Sequence, residues 1–534
     1  MRWQIVISFL CCSLLVAVIS WIKTHKQKLR TSTDYFLGGR SLGFIVVGGS
    51  LFLTNISANQ FIGENESVYI NNMSVMAWGM TSIFAMLIVS EFFLPIYLRI
   101  GAITTPDFLA VRFDSATKKI VSVIFLASYI ISLIPAVLYG GAVAFEGMFH
   151  IQEMLRISYW ETIWFLVIAI GITGGLYSLL GGLKAISISD TVLGLGLLIG
   201  GLLLPYYGFK YLGHGNVHEG LNVVLSSKQS HLNSIGSKED AVPLSTLFTG
   251  MLLINLYYWG MEQYIMQQVL ASKNLAEGQK GIALACFYKL VSPLLLNVPG
   301  LIAVHIYANL NNTASVFPTL AGDVLPPLFT GLIAALVFGA ALSTFSAGIN
   351  SVGTLFIMNL YKPWVEAKGK NSSEKQLLKV GKRFQFAVIL IGILIAPFII
   401  FSSGGFYTYI QKVSSFFSVP VFTILIVGFT TKRVPPIAAK VGALFFIIAY
   451  SITQFVVDTG IHYLHMVAIL FVVTVLLMLL MGKLWPMPVP YNRTMQPTGS
   501  VDLKPWKHRY IFGIILIVLM VLTFVIFSPV GLAK

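Results

Sequence analysis

Apolar runs of about 20 residues, the length of helix that crosses a bilayer, recur along almost the whole of this 534-residue chain. A chain that is 56% hydrophobic and only 10% charged has too few polar side chains to cover a soluble globule. The runs predict an all-α polytopic membrane protein with helices near 3–22, 42–70, 73–98, 120–149, 159–179, 185–208, 243–267, 276–309, 322–360, 378–402, 405–429, 436–458, 460–482 and 510–530, about fourteen transmembrane helices.

Two of these runs are interrupted by polar residues. Asn55-Ile56-Ser57-Ala58-Asn59-Gln60 breaks the second run, and Asn255-Leu256-Tyr257-Tyr258-Trp259-Gly260 breaks the seventh. Hydrocarbon offers freed backbone groups and amides no hydrogen bonds, at several kcal/mol each, so such a break survives only beside a buried cavity or an ion site. Paired breaks at corresponding places in two halves point to the midplane site of a secondary transporter.

The net charge of +15 would suit nucleic acid if the basic residues shared one face. They are sorted by loop instead, which is the mark of membrane topology, and no nucleic-acid partner is expected. Clusters such as Lys23 to Arg40, Arg99 to Lys119, Lys362 to Arg383 and Lys483 to Arg509 fall in alternate connections, whereas the opposite side holds only Arg2, Arg156, Lys210, Lys228, Lys238 and Lys534. Both termini are therefore expected on the extracytoplasmic side. The first helix lacks an Ala-x-Ala-like site and has its basic cluster after it, so it reads as a retained span and not a cleaved signal. Cys11, Cys12 and Cys286 form neither a disulfide framework nor a metal motif, and no cofactor is expected.

Five helices over 42–208 and five over 243–430 each open with a broken one. An odd number makes the two sets enter the membrane in opposite directions, as inverted repeats require. Residues 1–41 add a preceding helix and a basic loop, 209–242 an extracytoplasmic loop, and 431–534 three further helices with a connector.

Ser50-Leu-Phe-Leu-Thr-Asn-Ile-Ser-Ala-Asn-Gln-Phe-Ile-Gly63, Gly181-Gly-Leu-Lys-Ala-Ile-Ser-Ile-Ser-Asp190, Asn255-Leu-Tyr-Tyr-Trp-Gly-Met-Glu-Gln-Tyr-Ile265 and Ser343-Thr-Phe-Ser-Ala-Gly-Ile-Asn350 resemble the sodium:solute symporter family, most closely its bacterial sodium/galactose type. The similarity runs over most of 35–485. It implies a leucine-transporter-like 5+5 inverted repeat, sodium as coupling ion, and a cell (inner) membrane location.

A desolvated Na⁺ needs roughly five or six hard oxygens, which an unwound helix and neighbouring hydroxyls supply. The resemblance assigns this role to the carbonyls of Leu53, Ile56 and Ala340 and the side chains of Ser343 and Thr344. The bland alternative is that the two hydroxyls bond back to their own helix. Asp190 and Ser346 resemble a second sodium site found in some members. Ala347 stands where those members carry another hydroxyl, and a gating or proton-sensitive role for Asp190 is weighed equally.

Sugars need amides and hydroxyls in paired patterns, an aromatic face and lids. Gln60, Asn255, Lys289 and Gln411 match sugar-contacting positions, and Asn55 and Ser82 match further positions lining that site. Tyr258 matches an inner gate, with Trp78 and Tyr407 at outer-lid positions that also suit interfacial aromatics. A lysine in mid-span costs about 2.5 to 3.5 kcal/mol on insertion scales, so Lys289 should face a cavity and either donate to substrate or pair with an acceptor. Gly79 and Asn59 replace two carboxylates of the galactose type, with Asn59 still counted in the site. A neutral sugar or related polyhydroxylated solute is expected, with sodium- or proton-coupled transport of another small solute such as a sugar acid or inositol as the alternative.

An enzyme is not expected, because neither a His-Glu-x-x-His nor a Gly-x-Ser-x-Gly motif occurs. A solute-gated channel or a sensor is the alternative from another class, set against by connectors too short for a signalling domain. The oligomeric state is not legible.

Overall fold

The computed structural model describes residues 3–24, 31–310, 312–401, 406–457, 459–491 and 501–533. Among them the chain is helical, with a single isolated β-bridge between Leu42 and Ser272. We number the main helices α1 (Trp3–Thr24), α2 (Phe44–Asn55), α3 (Ala58–Ile70), α4 (Met73–Arg99), α5 (Ser115–Phe149), α6 (Tyr159–Leu179) and α7 (Gly182–Leu212). The second set comprises α8 (Gly250–Gly260), α9 (Gln263–Leu270), α10 (Leu275–Ile306), α11 (Pro327–Ala367), α12 (Glu374–Phe401) and α13 (Phe406–Thr430). Helices α14 (Pro436–Phe455), α15 (Tyr463–Leu484) and α16 (Arg509–Ile526) follow.

Twelve of the described helices are long and apolar enough to cross a bilayer, and the bent pair α2–α3 makes thirteen. The remaining expected crossing, 243–267, consists of α8 and α9, of 11 and 8 residues. Three glutamines in α9 hold its hydropathy down. Every residue of α9 is nonetheless buried, and its amides find partners. Gln263 Oε1 accepts the Thr105 N–H at 2.8 Å, Gln267 Oε1 accepts Ser351 Oγ at 2.7 Å, Gln267 Nε2 donates to Thr354 Oγ1 at 2.9 Å and to the Phe36 carbonyl, and Gln268 Oε1 accepts Ser187 Oγ at 2.5 Å.

Both breaks are narrower than the polar stretches suggest. The first is confined to Ile56 and Ser57, in extended conformation between helices bent by 55°, so that Asn59 and Gln60 already belong to α3. The second lies at Met261 and Glu262, immediately after the stretch read from sequence, and 255–260 is helical. Side-chain polarity marked the neighbourhood, but the backbone breaks after Gly260.

Close backbone approach wedges α2 between α10 and α7. A Cβ at Gly48 would lie 2.9 Å from the Gly281 carbonyl of α10, and one at Gly49 would lie 2.8 Å from Thr191 Cγ2 of α7. Small residues supply such contacts in lipid, where burial of apolar surface gives helices little reason to associate. Helix α5 carries a π-turn over Tyr129–Leu133; its extra residue per turn re-aims the side chains, and Tyr129, Ser132 and Leu133 all reach the central cavity. At one end of α5, buried Arg112 ties the core to the later helices, donating to the Gly428 carbonyl at 3.1 Å and to Thr431 Oγ1 at 3.0 Å. Beyond the spans, His462 caps α15 by accepting the Leu464 N–H at 3.3 Å. Burial, with His465 and Lys412 nearby, pulls its pKa down to about 4.

Candidate functional site

The first break places oxygen atoms of three helices together. A helix end leaves last-turn carbonyls without intrahelical partners. That of Thr54 accepts Thr344 Oγ1 of α11 at 2.9 Å, and the same hydroxyl reaches the Ala340 carbonyl at 3.2 Å. Thr344 therefore does bond back along its helix, as the bland reading has it, but it also clasps α2. Ser343 Oγ lies 3.3 Å from Thr54 Oγ1, which in turn donates to Asp190 Oδ2 of α7 at 3.2 Å. Ser50 Oγ donates to the same carboxylate oxygen at 2.9 Å. Leu53, Ile56 and Ala340 are fully buried beside this cluster.

The five sequence-derived positions thus gather at one junction of α2, α7 and α11, and Asp190 joins them through Ser50 and Thr54. Sequence reading passed over those two residues, although Ser50 and Thr54 sit one turn apart on a single face of an otherwise apolar helix, a spacing that aims two hydroxyls the same way. Ser346 stands apart. Its hydroxyl has no hydrogen-bond partner among the described residues, its carbonyl accepts Ser178 Oγ at 3.3 Å, and no bond joins it to Asp190.

Next to this junction lies a cavity of about 150 Å³, lined by Asn55, Asn59, Gln60, Trp78, Ser82, Asn255, Tyr258, Lys289 and Gln411, which brings all seven expected substrate positions into one space. Thr344 also reaches it, so the oxygen cluster and the cavity share a wall. Tyr407 lies outside the residues whose side chains are described. Trp78 is 7% exposed and packs in the cavity wall rather than against lipid, which tells against an interfacial role for it.

The hydrogen bonds around the cavity show which groups are engaged within the protein. Asn55 Nδ2 donates to Tyr258 Oη at 3.1 Å, and Tyr264 Oη donates to the same phenol at 2.9 Å. Asn255 Nδ2 is turned to Thr81 Oγ1 at 2.9 Å, and Ser82 Oγ returns to the Gly79 carbonyl at 2.5 Å. Asn55 Oδ1, Asn59 Oδ1, Gln60 Oε1 and Ser418 Oγ are buried with no partner among the described residues. Native interiors rarely leave such atoms unpaired, so these four mark where a polar ligand or water binds. Asn59 rests on α5, where a Cβ at Gly140 would come within 2.1 Å of its Oδ1; only a glycine leaves room for that amide.

Two carboxylates went unremarked as site residues. Glu64, one turn beyond Gln60 and 2% exposed, lies beside Lys289, itself 2% exposed, and accepts Asn297 Nδ2 at 3.2 Å. Lys289 lines the cavity with the Glu64 carboxylate in electrostatic range, and no ion-pair contact joins the two among the described residues. Glu262, at the second break, accepts the hydroxyl of Tyr129 and lines the cavity beside Tyr257. Asn297, Tyr129 and Tyr257 are spread over the chain, and only the fold assembles them.

Comparison with known proteins decides what this arrangement is. A model of the sodium:solute symporter family matches residues 35–449. The chain belongs to the sodium:solute symporter family. This symporter is 40% identical to an uncharacterised symporter, YidK, of Escherichia coli strain K12 over 509 residues, 95% of this chain and 88% of that protein. It is 30% identical to the sodium/glucose cotransporter of Vibrio parahaemolyticus (80% and 81% covered) and 30% identical to a bovine sodium/myo-inositol cotransporter 2 (81% and 66% covered). Its fold matches the substrate-bound, outward-open structure of a Na⁺-coupled sialic acid symporter with a TM-score of 0.77, at 19% identity, over 91% of this chain and 98% of that one. The architecture is that of the leucine-transporter-like sodium symporters. The protein is accordingly a multi-pass membrane transporter coupled to sodium, not an enzyme, and sodium is its coupling ion rather than a cofactor.

Proposed function

We propose that the symporter imports a neutral sugar or related polyhydroxylated solute by alternating access, with one Na⁺ bound where α2 ends. The reading rests on one observation above the others, the clasp of Thr344 Oγ1 on the Thr54 carbonyl at 2.9 Å in the shared wall of the oxygen cluster and the cavity. Na⁺ bound by the carbonyls of Leu53, Ile56 and Ala340 and the hydroxyls of Ser343 and Thr344 draws α2 onto α11. That completes the cavity, and substrate and sodium binding are coupled reciprocally.

In the cavity the unpartnered oxygens of Asn55, Asn59 and Gln60 accept substrate hydroxyls, while Lys289, Gln411, Ser82 and Asn255 contribute donors or complete the lining. Tyr258, tied to Asn55 and Tyr264, closes the side toward α9, with Trp78 and Tyr407 as the outer lid. Asp190 couples α7 to the sodium site as a gating residue. The repeats run 42–208 and 243–430, and both termini face away from the cytoplasm across a bacterial-type inner membrane. The glucose and myo-inositol cotransporters at 30% identity support a polyhydroxylated substrate.

One Na⁺ crossing 100 mV releases about 2.3 kcal/mol and a tenfold gradient adds about 1.4, which together sustain roughly 500-fold accumulation at one-to-one coupling. The test is uptake of radiolabelled aldoses, uronic acids, sialic acid and inositols into proteoliposomes, with and without an inward Na⁺ gradient. Concentrative, Na⁺-dependent uptake of a neutral sugar or polyol that is lost in Ser343→Ala is the expected result. Accumulation driven by protons alone would overturn the sodium assignment.

A further inference from the structure

Resting on the alternating-access reading above, we infer that Tyr264 is a positioning residue of this transporter. Its hydroxyl holds the Tyr258 gate shut against the first break, and inward opening requires that hydroxyl to let go. Tyr258 Oη receives two donors from different parts of the fold, Asn55 Nδ2 at 3.1 Å and Tyr264 Oη at 2.9 Å. Asn55 is the last residue of α2, next to the Thr54 carbonyl that Thr344 clasps. Tyr258 lies in the last turn of α8, and Tyr264 in the first turn of α9, on the far side of the second break. Three helix ends and both breaks are thus fastened at one phenol oxygen.

Tyr264 is held in place independently of that bond. It is 5% exposed, and its ring meets the Tyr129 ring and the Tyr258 ring edge-on, with centroids 5.9 Å apart in each case. Its backbone N–H donates to Tyr129 Oη at 3.3 Å, and that hydroxyl donates in turn to Glu262 Oε1. The π-turn of α5 therefore grips the residues on either side of Gln263 and sets where α9 begins. Tyr129, Tyr258 and Tyr264 all line the cavity. Ring packing tolerates small shifts, whereas a hydrogen bond is gone by about 3.6 Å. The Tyr264 hydroxyl is the part of this contact that a moving gate breaks first.

Loss of that hydroxyl leaves Tyr258 with Asn55 alone and shifts the gate about fivefold toward opening, the factor that one net hydrogen bond supplies. A gate that opens inward before solute has bound lets Na⁺ cross by itself. Tight coupling of Na⁺ to solute then depends on a residue that touches neither the oxygen cluster at the end of α2 nor the orphaned oxygens of the cavity wall.

The test measures radiolabelled Na⁺ flux into proteoliposomes of the full chain with no solute present. Beside it runs Na⁺-driven accumulation of whichever of D-glucose, D-galactose and myo-inositol the parent concentrates. Tyr264→Phe keeps the ring and removes only the hydroxyl. It should raise solute-free Na⁺ flux about fivefold and lower the accumulation plateau without lowering the initial rate of uptake. Tyr258→Phe should leak as well, and adding Tyr264→Phe to it should change nothing further, because the hydroxyl acts through that phenol. A merely structural role would lower the initial rate and the plateau together and would show no such dependence. Tyr129→Phe loosens the same turn and should also leak; if Tyr264→Phe does not fold, unchanged flux in Tyr129→Phe counts against the inference. Unchanged flux in Tyr264→Phe, or a double variant whose flux is the product of the two single effects, would overturn the inference and leave the sugar reading standing. Failure of every neutral sugar and polyol to be concentrated would overturn the sugar reading, while the solute-free flux still decides the role of Tyr264.

Discussion

The nearness of Lys289 to Glu64 allows a stability test that separates charge from shape. Both side chains are 2% exposed, and Asn297 Nδ2 holds the carboxylate at 3.2 Å. Glu64→Gln keeps an oxygen for Asn297 and nearly the same volume, so its main effect is to leave the Lys289 charge uncompensated. Breaking a contacting buried pair from one side costs about 3 to 5 kcal/mol; Glu64 and Lys289 are in electrostatic range without such contact, so a smaller loss, about 2 kcal/mol, is expected. Lys289→Met strands Glu64 and should cost a similar amount. In the double variant neither charge is left alone, and the loss should shrink to within about 1 kcal/mol of the parent, since apolar replacement of such a pair is often neutral. Unfolding by SDS in mixed micelles, followed by tryptophan fluorescence, gives the three differences. Losses that add in the double variant would show that the two groups do not interact and would refute the pairing. Transport should fail in Lys289→Met whatever its stability, which keeps the two roles of the lysine apart.

Three further outcomes follow from the geometry. Thr344→Val removes the hydroxyl between the Thr54 and Ala340 carbonyls with little change in shape; a loss of about 1 to 1.5 kcal/mol per bond should raise the Na⁺ concentration for half-maximal uptake about tenfold, and an unchanged value would remove Thr344 from the sodium site. Gly140→Ala should push the Asn59 amide, whose oxygen would be 2.1 Å from the new Cβ, out of its place and weaken substrate binding severalfold, measured as the half-saturating substrate concentration, whereas Gly141→Ala, which meets Ile170 at 3.2 Å, should bind normally. His462 is protonated in the fold only below about pH 4, against an ordinary value of 6.5. The unfolded chain takes up its proton first, so stability is level above pH 6.5 and declines between 6.5 and 4. With the ring half-buried and solvent screening discounted, His462 accounts for about 1 kcal/mol, seen as a smaller drop in Tm from pH 7 to 4.5 in His462→Gln.

Much of this was legible because lipid makes polar residues costly. A run such as 42–70 has to be a span, and its amides have to face a cavity, so the positions of Asn55, Gln60, Asn255 and Lys289 could be read directly and the structure places all four on one cavity. The fourteen crossings were harder to delimit, since α9 has the composition of a surface helix. Its burial depends on Thr105, Ser187, Ser351 and Thr354, whose approach no local pattern records. The same holds for the breaks. Polarity of side chains located them to within a turn, but backbone dihedrals moved the second to Met261 and Glu262. Glu64 and Glu262 were overlooked because a lone acidic residue in a broken span is informative only once its neighbours are known.

The glutamine clasp on α9 has a consequence for how the chain enters the membrane. Stretch 250–270 combines one half apolar enough for lipid with another that is not, and two of the groups that satisfy its amides, Ser351 and Thr354, are made some 80 residues later. While the ribosome is still short of α11, Gln267 lacks Ser351 and Thr354 and has only the Phe36 carbonyl and Gln263 among its final partners. The second half of this span therefore waits at the interface or in the shelter of the translocon, and settles to its final depth after α11 has arrived. Transmembrane insertion of this protein is then not a sequence of independent helices entering in order. Truncated chains ending before residue 351 should leave α9 open to modification by aqueous reagents, and full-length chains should protect it.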